Sequence, residues 1–157
     1  MNKDLAFYYL ADKPEHLPTV AAWYYKEWCE QSGRYSLAEL TEKLEKSLSK
    51  SELPVNIVAL ENDELVAAAE LKIREMEAYP QYEHWLGGVY VAPEARGKQL
   101  ATALVSYLLD KAKMANIETL YLQTEHLQGG LYCELGFKPL FETESKGYQV
   151  LVMSKEL

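Results

Sequence analysis

Arg96, Gly97 and Lys98 stand where a strand-like run ends and a helical period begins. That placement can hold an anion. A helix start presents backbone N–H groups with no intrahelical acceptor, together with the positive end of the helix dipole. Arg96 and Lys98 add full charges, and Gly97 lets the backbone come close to a ligand. Upstream, Val89, Tyr90 and Val91 are β-branched or aromatic and suit a strand, which Pro93 ends because it cannot donate to a central ladder. The stretch Gly88–Ala101 therefore predicts a phosphate-binding turn. It fits equally an ordinary strand-to-helix connection carrying two solvated cations.

The elements that must position this turn follow from periodicity. Leu5–Leu10 reads as a first strand. Pro14 opens a helix whose face is Leu17, Val20, Ala21, Tyr24 and Trp28, running to about Cys29. After the break at Gln31–Arg34, Ser36 and Glu39 form a capping-box pattern. Leu37, Leu40, Leu44 and Leu48 then make the stripe of a second helix. Val55–Leu60 and Glu64–Glu75 predict a hairpin turning at Glu61-Asn62-Asp63. His84–Val91 is the strand before the basic turn, and Gly87-Gly88 within it marks a bulge or a close backbone approach.

Ala101, Leu104, Val105, Leu108, Leu109 and Ala112 give the clearest helical period. Thr119–Thr124 is a strand. Glu125–Glu134 reads as a short helix weakened by Gly129-Gly130. Phe137–Glu144 and Tyr148–Ser154 are closing strands. No repeat or linker divides the chain, so residues 1–157 read as a single α/β domain. The expected architecture is one sheet of about seven strands with helices on both faces, and a parallel crossover from Gly88 to Thr124. A ligand would then sit beyond the carboxyl end of the strand that precedes the basic turn.

Composition narrows the function classes. At 157 residues, 48% apolar and 25% charged, the chain reads as an ordinary globular protein. A net charge of −8 argues against nonspecific nucleic-acid binding and is compatible with an amine-bearing partner. No apolar run reaches the roughly 18 residues of a membrane span. Met1-Asn2-Lys3-Asp4 lacks a signal-peptide pattern, so the expected location is cytoplasmic. Cys29 and Cys133 show neither metal-ligand spacing nor a disulfide framework, and both read as structural.

Two stretches resemble one family. Val91-Ala92-Pro93-Glu94-Ala95-Arg96-Gly97-Lys98-Gln99-Leu100-Ala101 is similar to motif A of the GNAT superfamily of N-acetyltransferases, whose usual form is Val-x-Pro-x-x-Arg-Gly-x-Gly-x-Gly/Ala. Leu131-Tyr132-Cys133-Glu134-Leu135-Gly136-Phe137 resembles the family's Leu-Tyr-x-x-x-Gly-Phe. Their separation and the element order also resemble the family across essentially the whole chain. The resemblance implies the GNAT-like acyl-CoA N-acyltransferase fold, with acetyl-CoA as cosubstrate and no metal. Backbone groups of Val89, Tyr90 and Val91 would pair with the pantetheine arm. Arg96, Gly97, Lys98, Gln99, Leu100, Ala101 and Thr102 would hold the pyrophosphate. Tyr132 would be the general acid toward the departing thiolate, a role that a phenol protonated at neutral pH can fill; the same residue also fits a core aromatic beside Phe137. Gln99 departs from the family's usual glycine, and Glu125 stands where asparagine is frequent.

The implied reaction is direct acetyl transfer to an amine. The amine must first lose a proton, and Glu70, Glu83, His84 and Glu125 are the candidate bases, with Glu70 and Glu125 placed beside Tyr132 as catalytic candidates. A bulge in the strand could aim a backbone N–H, at Tyr90, toward the thioester oxygen. Trp28, Glu30, Arg34, Tyr35 and Trp85 are expected to wall the acceptor site. The acceptor is a small amine or a peptide, with no nucleic acid or membrane partner, and the protein a monomer or homodimer. Two other readings remain: a coenzyme A-binding module without turnover, and a nucleotide binder using the same turn.

Overall fold

The structure is a computed structural model that describes residues 4–157. The segment Met1–Lys3, part of the N-terminal pattern considered above, lies outside the described residues. Seven strands form one sheet in the order β1-β2-β3-β4-β5-β7-β6: β1 (Leu5–Tyr9), β2 (Val55–Glu61), β3 (Glu64–Ile73), β4 (His84–Val91), β5 (Thr119–Thr124), β6 (Lys138–Ser145) and β7 (Tyr148–Glu156). All neighbours are antiparallel except β4 and β5.

Side-chain alternation along the strands divides the core into two layers. On β2, Ile57 and Ala59 face α3 (Leu100–Met114), packing with Leu104 and Leu108. Val58 and Leu60 face the opposite way, onto α1 (Leu17–Tyr24) and α2 (Leu37–Glu45), where Val20, Tyr24, Leu40 and Leu44 meet them. The sheet is thus covered on both faces, as the periodicity implies.

Local chemistry explains the boundaries. Ser36 accepts from the Glu39 N–H at 3.1 Å and Glu39 accepts from the Ser36 N–H at 2.9 Å, so the capping box forms at the start of α2. Of its expected stripe, Leu40 and Leu44 are buried, but Leu37 in the first turn is exposed. Asn62 and Asp63 both take positive φ (53° and 66°), the conformation a tight hairpin turn demands. The first helix reaches Cys29 as expected, but Tyr25–Cys29 is a π-helical turn in which the Glu30 N–H donates to the Tyr25 carbonyl at 2.7 Å.

One element is shorter than its sequence suggests. The helix expected over Glu125–Glu134 is only α4, Leu131–Glu134. Gly129 and Gly130 hold φ of +90° and +54°, outside the helical region, so residues 125–130 are a turn. The strand expected to run to Glu75 ends at Ile73, and Arg74 takes φ +46°. Among the described residues no helix is long and apolar enough to cross a membrane.

Candidate active site

The centre of the sheet is split. β4 and β5 share a single parallel pair, Trp85 with Tyr121, near the start of β4. Beyond it the two strands have no further paired residues, which leaves one edge of Val89–Val91 without a strand partner. Orientation follows from the β3–β4 ladder. The Ala92 N–H donates to the Val66 carbonyl at 2.8 Å, and in the same register Tyr90 lies opposite Ala68. Alternation turns the Tyr90 amide toward β3 as well, and directs Val89 and Val91 into the split. The Tyr90 N–H is therefore engaged with β3, and the oxyanion role expected for it does not fit. Val91 does face the split: its carbonyl accepts from Arg96 Nε at 2.9 Å.

The basic turn continues from this edge. The first intrahelical bond of α3 runs from the Ala103 N–H to the Gln99 carbonyl, so the amides of Leu100, Ala101 and Thr102 lack helical acceptors. They line a cleft of about 240 Å³ together with Val91, Gly97, Gln99 and Leu131. Gly97 has φ +84° and nothing within 4 Å of the position a Cβ would take, so its backbone is open to a ligand. Gln99 holds φ +61°, the left-handed region that the usual glycine would occupy without strain. The Arg96 guanidinium lies over the Tyr90 ring at 5.4 Å. Lys98 is exposed and approaches Glu61 at 3.9 Å. An unpaired strand edge leading to free amides and cationic side chains fits an extended arm ending in a pyrophosphate.

On the other side of β4 lies a charged floor. The ladder slips between Ala68 and Glu70, so Gly88 and Val89 together oppose Ala69 in a bulge, with Gly88 at φ +59°. A Cβ on Gly88 would lie 2.6 Å from Glu70 Oε1 and 2.9 Å from Tyr24 Oη. A Cβ on Gly87 would lie 2.9 Å from Glu75 Oε1. The adjacent glycines thus leave room for two carboxylates. Lys72 links them, with Nζ at 2.8 Å from Glu75 and 3.7 Å from Glu70. Gln123 Nε2 donates to the other Glu75 oxygen at 2.6 Å.

Protonation follows from these contacts. Burial disfavours the Lys72 ammonium, but Glu75 and Glu70 outweigh it and raise its pKa. Burial likewise opposes the Glu75 carboxylate, yet Lys72 and Gln123 hold it below the usual carboxylate range. Tyr24 is raised by burial and by the charge of Glu70, and its hydroxyl is a buried polar atom without a hydrogen-bond partner.

The expected site residues separate on this framework. Glu70 is buried and belongs to the floor. Glu125 is exposed just past the end of β5 and takes no part in these contacts. Glu83 is engaged with Arg74 at 3.1 Å. His84 pairs with Ile73 at the far end of β4. Tyr132, on α4, packs edge-on to Phe137 with centroids 6.0 Å apart, and burial pushes its phenol up to about 12. Trp28 packs at a tilt against Tyr24 and edge-on to Tyr90. Trp85 is not a wall residue: it is fully buried and its indole N–H donates to the Tyr82 carbonyl at 2.7 Å. Cys29 is buried and Cys133 exposed.

Tyr24, Lys72, Glu75 and Gln123 were not identified as site residues from the sequence. The available signal was the spacing of Glu70 and Lys72, which puts opposite charges on one face of a strand.

Comparisons with known proteins agree with this arrangement. The description "Acetyltransferase (GNAT) family" matches residues 17–137. No curated protein matches the sequence. Solved structures do match in fold. An N-acetyltransferase from Staphylococcus aureus Mu50 aligns with a TM-score of 0.77 at 20% identity, covering 98% of this chain and 99% of that one. A ribosomal-protein-alanine N-acetyltransferase from Brucella melitensis aligns at 0.73 and 20%, covering 97% and 99%. An aminoglycoside 6'-N-acetyltransferase complexed with coenzyme A aligns at 0.72 and 18%, covering 97% and 96%. With its split mixed sheet and the family match over most of its length, this chain belongs to the GNAT family of acetyltransferases.

Proposed function

We propose that residues 1–157 act as one N-acetyltransferase domain that moves the acetyl group of acetyl-CoA directly to a primary amine of a small molecule or peptide. The observation that carries this reading is the single-pair junction of β4 and β5, with the free-amide cleft at the end of the split and buried Glu70 beside the bulge. The coenzyme A-bound relative of the same fold supports the choice of cosubstrate.

The chain's residues then have distinct tasks. Val89 and Val91 pair with the pantetheine amides. Gly97, Gln99, Leu100, Ala101 and Thr102 hold the pyrophosphate, with Arg96 and Lys98 adding charge. Glu70 takes the proton that the amine must lose. The amine nitrogen forms a bond to the thioester carbon, and the carbon–sulfur bond breaks with its electron pair on sulfur. Tyr132 donates a hydrogen bond to that sulfur. Burial holds the Tyr132 phenol up at about 12, so it is protonated at neutral pH and donates to the departing thiolate, which solvent protonates after release.

The test is release of free thiol from acetyl-CoA in the presence of a panel of amines. Amine-dependent release is the expected outcome. Coenzyme A binding without release for any amine would replace the enzyme by a binding module. Thermal stabilisation by ATP and not by coenzyme A would reject both in favour of a nucleotide binder.

A further inference from the structure

We infer that Tyr24 and Asn56 are positioning residues for Glu70: the Tyr24 hydroxyl serves its carboxylate before the acceptor amine gives up a proton, and the Asn56 amide oxygen serves its carboxylic acid afterwards. The inference rests on the acetyltransferase reading, in which Glu70 is the base, and adds two residues to that same site.

Three elements meet at Glu70. Alternation along β3 puts Ala69 on the α3 face and Ala68 and Glu70 on the face that α1 and α2 cover. On β2, Asn56 stands directly opposite Glu70 in the antiparallel register, so the two side chains leave that face as cross-strand neighbours. From α1, Tyr24 reaches the glycine bulge. The point where a Gly88 Cβ would stand is 2.6 Å from Glu70 Oε1 and 2.9 Å from Tyr24 Oη, so phenol and carboxylate rest against the same glycine. Asn56 Nδ2 donates to the Ser47 carbonyl, just after α2, at 3.5 Å, which leaves Oδ1 as the free end of the amide. All three polar groups are buried: Tyr24 is 4% exposed, Asn56 2% and Glu70 8%.

Among the described residues, Tyr24 Oη and Asn56 Oδ1 are the buried side-chain oxygens that have no hydrogen-bond partner. Buried polar atoms are nearly always paired, because an unmade bond there forfeits hydration with no return. Here both orphans flank one carboxylate. Their chemistry is complementary: a phenol O–H can donate, whereas an amide oxygen can only accept. An ionised carboxylate accepts only, so it can take the Tyr24 O–H and has nothing to offer Asn56 Oδ1. A protonated carboxyl carries one O–H, which Asn56 Oδ1 can accept. The two orphans therefore match the two protonation states that a general base must pass through.

The proton moves in one exchange. An N–H bond of the acceptor ammonium breaks with its electron pair left on nitrogen, and an O–H bond forms on Glu70. The nitrogen pair is then free to attack the thioester carbon. The charged and titratable groups that face Glu70 are few. Its own strand supplies Lys72, Nζ at 3.7 Å, and the segment after β3 supplies Glu75, which reaches it through Lys72. Tyr24 comes from α1, β2 presents the neutral Asn56, and β4 presents Gly87 and Gly88. Lys72 favours the ionised form throughout. Tyr24 favours that form and Asn56 the protonated one, so removing them drives Glu70 in opposite directions. Loss of packing alone gives no such pair of signs.

The experiment reads the Glu70 titration twice, in the wild type, Tyr24→Phe and Asn56→Leu. The first readout is NMR of protein carrying 13C at the glutamate carboxyl carbons, with the Glu70 signal assigned by its loss in Glu70→Gln. The second is the acidic limb of kcat/KM for thiol release from acetyl-CoA with benzylamine, ethanolamine and glycinamide. Each amine is common to all variants, so differences between variants belong to the protein. Tyr24→Phe should move the NMR midpoint and the acidic limb up by about one pH unit, tenfold in proton affinity, and Asn56→Leu should move both down by a similar amount. The KM for acetyl-CoA should stay put in each. Asn56→Val, whose side chain suits a strand, takes the place of Asn56→Leu if that variant does not fold. A midpoint that stays put in either variant, or midpoints that move the same way, overturns the assignment; with amine-dependent thiol release intact, the acetyltransferase reading still stands. Opposed NMR shifts without thiol release from any amine keep the two residues with Glu70 and overturn the enzyme.

Discussion

Glu70 Oε1 lies 2.6 Å from the point that a Cβ on Gly88 would occupy. The carboxylate stands in the space a side chain would otherwise fill, next to a bulge in the strand at the split. Gly88 also sits at φ +59°, so an L side chain there is strained independently of space. Gly88→Ala is expected to destabilise the fold by about 2 kcal/mol and to lower turnover sharply. Thermal unfolding and thiol release check this. An unchanged melting temperature would show that the cradle can yield.

Lys72 is shared by Glu70 and Glu75. Lys72→Met removes the ammonium and leaves two carboxylates crowded in a partly buried site. The expected cost is about 3 kcal/mol, read by denaturant unfolding. Lys72→Met/Glu75→Gln should recover part of it, because one of the two orphaned charges is gone.

Tyr132 is expected to affect chemistry more than binding. Tyr132→Phe keeps the packing against Phe137 and removes the hydroxyl. Turnover should fall by about 100-fold, with the KM for acetyl-CoA changed far less. Equal turnover would remove Tyr132 from the reaction.

Alkaline stability reports on the most buried of the raised groups. Tyr24, Tyr132 and Lys72 all have folded pKa values above their reference values of 10.0, 10.0 and 10.5. A raised pKa means that the folded state holds its proton longer than the unfolded chain. The associated stability is full below the unfolded pKa and is lost as pH rises through the folded one. These groups should leave the melting temperature flat up to about pH 10 and depress it progressively toward the Tyr132 value of about 12. Tyr24→Phe should shallow that decline, as measured by circular dichroism across the pH series.

Gln99 is strained but tolerated at φ +61°. A left-handed non-glycine residue costs about 1 kcal/mol, which glycine would relieve while adding a similar loss of unfolded-state restriction. Gln99→Gly should leave the melting temperature near its original value and coenzyme A affinity equal or tighter, by calorimetry. Gln99→Val, β-branched at positive φ, should destabilise. A large loss of affinity in Gln99→Gly would show that the Gln99 side chain makes its own contact with coenzyme A.

The sequence by itself determined the order of strands and helices, because burial on a sheet or helix face writes a period into the chain. Leu104/Val105/Leu108 carry the helical period, and the unbroken apolar run Ile57–Leu60 marks a strand buried on both faces, without needing any distant residue. It also located the basic turn, since Pro93, Arg96 and Gly97 act locally. The helix expected at 125–134 was overestimated because the backbone of Gly129 and Gly130 takes positive φ. Tertiary structure alone decided what depends on pairing between distant segments. The one-pair junction of Trp85 with Tyr121 opens the sheet, and the slipped register at Gly88 admits Glu70. The same register turns the Tyr90 amide away from the split. Local propensity sets which way each residue faces along its own element; only the register between elements sets what it faces.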